Sequence, residues 1–167
     1  MTQIDQFESV FRSAVKDVFK YREPSYAKAL LVTDLTGEEA QVFADRVEKF
    51  VAALEEENRL NWQQISISAV TTTEELLDKV AVHSPDLICT YRNLGSDAWR
   101  YPHSLGQHLD VLAQCTRTPV LVLPHPKANY AYEHALNHTQ MVMAVTDHLA
   151  GDGNLINNAI HFTRKGG

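Results

Sequence analysis

The sequence predicts a three-layer α/β fold in which helices cover both faces of a parallel sheet. Two observations point there. Short apolar runs that stop at a polar or turn residue alternate with stretches whose apolar residues recur at helical spacing, and that alternation is the mark of strand-helix-strand units. The chain has 167 residues, 44% of them hydrophobic, enough to bury one core and too apolar for a disordered chain.

Phe7, Val10, Phe11, Ala14, Val18 and Phe19 recur at helical spacing, so the first 27 residues read as an N-terminal helical extension. The run from Ala29 to Thr33 is a first strand, ended by Asp34 and a turn at Thr36-Gly37. A long helix follows, with Ala40, Phe43, Val47, Phe50, Val51 and Leu54 on one stripe and Glu38 and Glu39 at its start, where they suit the helix dipole. Ile65, Ile67, Ala69 and Val70 mark the second strand. Thr71 to Thr73 then offer helix caps ahead of Leu76, Leu77 and Val80, and Pro85 closes that helix. Asp86 to Tyr91 is a buried strand, followed by a polar loop and a helix through Leu105, Leu109, Leu112 and Ala113. Val120 to Leu123, ended by Pro124, is the last strand of the unit.

Residues 126–140 read as a linker, and 141–167 as a restart. There Val142 to Asp147 repeats the Val-Thr-Asp of the first strand, and Leu155, Ile156, Ala159 and Ile160 form a helical stripe. This pattern predicts the first strand-helix unit of a partial second copy, behind a main domain at 28–125.

Fifteen basic against twenty-one acidic residues give a net charge near −6, which disfavours a nucleic-acid partner. The acidic run Glu55-Glu56-Glu57 reads as the solvated end of a helix. The two cysteines, Cys89 and Cys115, lie in separate apolar segments and suggest core residues, not a disulfide framework or zinc site. No apolar stretch is long enough to span a membrane, and Met1 to Asp5 has no leader pattern, so a cytoplasmic protein is expected. His134 and His138 share a helical face but lack further ligands, and Ser104 with His108 has no nucleophile elbow around it. Neither a metal nor a catalytic residue is expected.

Pro85-Asp86-Leu87-Ile88, a loop, Gly106, an amphipathic helix and Thr118-Pro119-Val120-Leu121-Val122-Leu123-Pro124 together resemble the C-terminal half of a universal stress protein domain. Leu31-Val32-Thr33-Asp34 is similar to that family's first strand and its terminal aspartate. The resemblance implies a sheet of the universal stress protein and adenine-nucleotide hydrolase type. It also implies that one strand-helix unit is missing, so four parallel strands are expected where the family has five. It further implies a regulatory or ligand-sensing role in stress response; the alternative is an adenylate-binding hydrolase or transferase of the same fold group.

In open α/β sheets ligands sit beyond the carboxyl ends of the strands. The candidate nucleotide-binding residues are therefore Asp34, Val70, Tyr91, Arg92, Asn93, Gly95, Ser104, Gly106 and Gln107, with Asp147 as the second-copy equivalent of Asp34. ATP-binding members carry glycines where this chain has Tyr91 and Leu94, and a hydroxyl residue where Gln107 follows Gly106. A β-carbon at those places keeps the backbone from wrapping phosphate, so ATP or AMP is expected to bind weakly at most. Trp99 and Tyr101 in the same loop are expected to pack on their own scaffold. A homodimer is expected, through the last strand and residues 126–167, as relatives of the resembled family commonly associate.

Overall fold

The computed structural model describes residues 19–52, 60–101, 103–128, 141–145 and 152–165. It divides into two compact units, Ser25–Thr139 on the one hand, and Met1–Pro24 with Gln140–Gly167 on the other. The expected helix over Phe7 to Phe19, the pair His134 and His138, and Asp147 lie outside the described residues, apart from Phe19 itself.

The larger unit holds four strands, β1 (Lys28–Thr33), β2 (Asn61–Ser66), β3 (Leu87–Tyr91) and β4 (Val120–Leu123). They form one all-parallel sheet in the order β2-β1-β3-β4. Between them run α1 (Gly37–Ala52), α2 (Thr73–His83), a short 3-10 helix (Asp97–Arg100) and α3 (Gln107–Cys115). The chain leaves β1 for β2 on one side and returns across β1 to β3 on the other. With right-handed crossovers, that path puts α1 on one face and α2 and α3, which touch each other, on the opposite face.

The two central strands are buried along nearly their whole length, as a sheet covered on both faces requires. Leu30, Val32, Ile88 and Cys89 are inaccessible to solvent, and α1 packs Phe43, Val47 and Val51 onto this core. Thr72 caps α2 in a capping box with Glu75, and Ser84 ends the helix in the left-handed region just before Pro85. The Asp86 carboxylate accepts from the backbone N–H groups of Ala27 and Lys28 and so pins the start of β1 beside β3.

Three expectations need correction. β2 begins at Asn61 and ends at Ser66, while Ala69 and Val70 form the following turn. An edge strand with one neighbour tolerates the polar Gln63 and Gln64, so the apolar run from Ile65 overshoots the element. Cys115 is exposed, being the last residue of α3 beyond the packed positions His108, Leu109 and Leu112. Residues 141–145 form no strand, and Met141, Met143 and Val145 are 72–87% exposed, so the echo of β1 in sequence has no ladder to join there.

In the smaller unit the expected helical stripe is α4 (Gly153–Lys165). Asn157 accepts the backbone N–H of Arg22 through Oδ1 at 2.9 Å, and the Arg164 guanidinium lies over the Tyr21 ring at 4.6 Å. Among the described residues, no helix is long and apolar enough to cross a membrane.

Candidate functional site

The strand order reverses between β1 and β3, and the carboxyl ends of those two strands meet at Asp34 and Tyr91. A switch point of this kind opens a crevice because the connections leave in opposite directions. Tyr91 is fully buried, its ring edge-on to Phe43 at 5.3 Å and to His125 at 4.8 Å. Its hydroxyl organises the end of β1. The phenol donates to Asp34 Oδ1 and accepts the Asp34 N–H at 3.1 Å, so Thr33 must donate across the remaining 2.7 Å contact. Thr33 Oγ1 in turn accepts the Leu35 N–H at 3.0 Å. Every hydrogen in this chain has one acceptor. Burial, together with the Asp34 hydrogen bond, pushes the Tyr91 pKa far above the usual phenol value and keeps its proton in place.

Asp34 is held from a second side. Its Oδ2 accepts the Gly95 N–H at 2.7 Å, which ties the loop after β3 to the end of β1. Gly95 has φ +71°, and a β-carbon there would stand 3.3 Å from the Ala69 Cα, so both conformation and space favour glycine.

Beyond Asp34 lies a cleft of about 380 Å³ whose walls include Ser68, Glu39, Gly95, Asp97, His125 and Lys127. His125 follows the carboxyl end of β4 and is 5% exposed, stacked on Trp99 at 5.1 Å. Its Nδ1 accepts the Lys127 N–H at 3.1 Å, which leaves the proton of the neutral ring on Nε2. Burial lowers the His125 pKa; the Asp34 carboxylate opposes that shift, and Lys127 and Arg92 add to it. The ring is therefore neutral at pH 7.

Of the sequence-predicted residues, one group belongs to the cleft and another to the loop after β3, while Val70 and Gln107 belong to neither. Asp34 and Gly95 line the cleft, and Tyr91 supports it from below. The other group builds the loop. Arg92 donates to the carbonyls of Trp99 at 3.0 Å and Tyr101 at 2.9 Å, spending its guanidinium on the 3-10 turn. Asn93, at φ +60°, is 1% exposed and bonds Ser104 twice, once to its carbonyl and once from its hydroxyl. Gly106 is required by that same corner, because a β-carbon on it would fall 2.7 Å from the Asn93 Cα. Val70 is 87% exposed in the β2–α2 turn and does not line the cleft, a consequence of β2 ending earlier than its apolar run. Gln107 is exposed in the first turn of α3 and also stands outside the cleft lining. Trp99 packs on His125, its own scaffold.

Sequence reasoning missed His125, Asp97 and Lys127. The available signal was position, since Pro124-His125-Pro126 directly follows the end of β4, where this class of sheet places its ligands. Among the described residues no group of three or more His, Cys, Asp or Glu side chains could hold a metal ion. The chain matches no family model, no curated protein and no solved structure.

Proposed function

We propose that this chain is a regulatory, ligand-sensing module of the universal stress protein kind, acting in stress response through a nucleotide crevice that has lost its phosphate cradle. The observation that carries the reading is the closure of the Asp34 carboxylate onto the Gly95 amide at the switch point. A loop that binds phosphate keeps its backbone N–H groups free for the anion. Here one of the candidate donors already serves a carboxylate, and the glycine at the start of α3 serves the Asn93 corner. The cleft at the switch point is lined by acidic groups, Asp34, Glu39 and Asp97, which disfavour a phosphate.

An adenylate hydrolase or transferase of the same fold group would need a nucleophile or general base free to act on the ligand. The Tyr91 phenol holds its proton by burial, and both Asp34 oxygens are engaged. Incubation with ATP or AMP is expected to give no turnover above a Tyr91→Phe control. Mass spectrometry of protein purified under native conditions is expected to find a co-purified molecule without a polyphosphate. Sustained hydrolysis of either nucleotide would replace this reading with the enzymatic one.

The module acts as a homodimer through β4, with residues 126–167 taking part. Support comes from β4 being one edge of the sheet, with Val122 48% exposed on it, since an unpaired strand edge is a template for a second chain. Light scattering at tens of micromolar is expected to give twice the chain mass, and deletion of 126–167 is expected to lower it. A monomeric intact chain ends the dimer proposal.

A further inference from the structure

The polar cleft beside Asp34 adjoins an apolar groove of similar size, about 380 Å³, lined by Leu35, Val42, Phe43 and Pro126 with Glu38 at its margin. Leu35, Glu39 and Lys127 line both, so the two lie side by side in the larger unit and are taken together as one recess. Val42 is 58% exposed on the groove side of α1, an apolar surface next to charged ones.

Charge in the recess is one-sided. Among the described residues the polar half is lined by Asp34, Glu39 and Asp97 against one ammonium, Lys127, and Glu38 adds a further carboxylate in the apolar half. The positive end of the α1 dipole, about half an elementary charge, does not balance this excess. An anionic ligand is repelled and a cationic one is drawn in. The buried His125 supplies a second, independent feature: its ring lines the cleft, and with Nδ1 taken by the Lys127 N–H, its Nε2–H is a donor not engaged by any group among the described residues.

We propose that the recess binds a small amphipathic amino alcohol: its ammonium lies among Asp34, Asp97 and Glu39, its hydroxyl oxygen accepts from His125 Nε2, and its apolar group fills the Leu35–Val42–Phe43–Pro126 groove. The proposal rests on the ligand-sensing reading above and names the ligand class for the same site. Each part of the molecule answers a different feature of the recess. The apolar group displaces water from the groove, the ammonium settles the charge excess, and the hydroxyl fixes orientation.

The test is calorimetric titration of the full chain at low ionic strength with three phenyl-bearing hydroxylated probes of similar size, 2-amino-1-phenylethanol, 1-phenyl-1,2-ethanediol and 3-phenyllactate. The amine is expected to bind at least tenfold tighter than the carboxylate and severalfold tighter than the diol, with the preference shrinking in 0.5 M salt, where screening acts over about 4 Å or less. Asp97→Asn, at an exposed position, is expected to weaken the amine severalfold and leave the diol unchanged, whereas Val42→Ser weakens both. Equal or tighter binding of 3-phenyllactate overturns the proposal. So does binding of adenosine with no binding of the three probes, an outcome that leaves the ligand-sensing reading standing. If neither adenosine nor any probe binds, the proposal also falls, while the ligand-sensing reading is decided separately by whether native purification yields a co-purified molecule.

Discussion

Replacing Tyr91 by Phe removes one oxygen and leaves the ring, so it isolates the hydrogen-bond chain at the end of β1. The ring contacts with Phe43 and His125 are preserved, and no cavity larger than a hydroxyl is created. Three groups lose a partner. Thr33 is wholly buried, and its hydroxyl would have no acceptor, a cost of about 1–3 kcal/mol for an unsatisfied buried group. The Asp34 N–H and carboxylate are part-buried and open to the cleft, so water offsets much of their loss, leaving roughly 1 kcal/mol for the pair. The sum is about 2–4 kcal/mol, which in a chain of this length lowers Tm by roughly 4–16 °C. Denaturant unfolding followed by circular dichroism measures it directly, with the wild-type slope retained if the transition remains two-state. A loss under about 0.5 kcal/mol, within the range of an ordinary surface substitution, would mean that the Tyr91 hydroxyl does not organise this end of the sheet.

Three further outcomes follow from the same geometry. Gly95→Ala forces a β-carbon into the left-handed region and against Ala69, and is expected to cost about 1–3 kcal/mol in unfolding free energy, the range for strained backbone. Gly106→Ala is expected to cost more than Gly95→Ala, because its β-carbon would lie 2.7 Å from a backbone atom; parallel unfolding curves that reverse this order contradict the assignment of Gly106 to the Asn93 corner. His125 has a folded pKa below its unfolded value, so its neutral form stabilises the fold above about pH 6.5. That contribution declines as pH falls from there through the folded pKa, and His125→Gln is expected to flatten this part of the stability profile.

The alternation of elements was legible because each carries a local signal. α1 shows its stripe at Ala40, Phe43, Val47 and Val51, α2 its capping box at Thr72 and Glu75, and β3 a mostly apolar run broken only by Thr90. β2 was misplaced because an edge strand need not be apolar, and Ile67 to Val70 outweighed Gln63 and Gln64 in the pattern. Asp34 was legible as a site residue through its position at a strand end, and Gly95 through its place beside Leu94, where the resembled family has a glycine. Their contact was not, because it depends on β1 and β3 being neighbours although β2 lies between them in sequence. Tyr91 reads in sequence as the end of a buried strand, at a place where the resembled family's phosphate loop has glycine. In the fold its hydroxyl is the group that positions Asp34, a role set by a neighbour 57 residues away. His125 escaped because a single histidine between two prolines has no spacing partner, and its place in the cleft comes from the last strand alone.

The proposed reading requires that the crevice at the β1–β3 switch point does not take polyphosphate, and calorimetric titration of the full chain with ATP tests that most directly. With the Gly95 amide bound to Asp34 and carboxylates lining the cleft, the dissociation constant is expected to be weaker than about 1 μM, or roughly −8 kcal/mol. A submicromolar constant for ATP, abolished by Asp34→Ala, would show that the loop opens to cradle phosphate and would contradict the account.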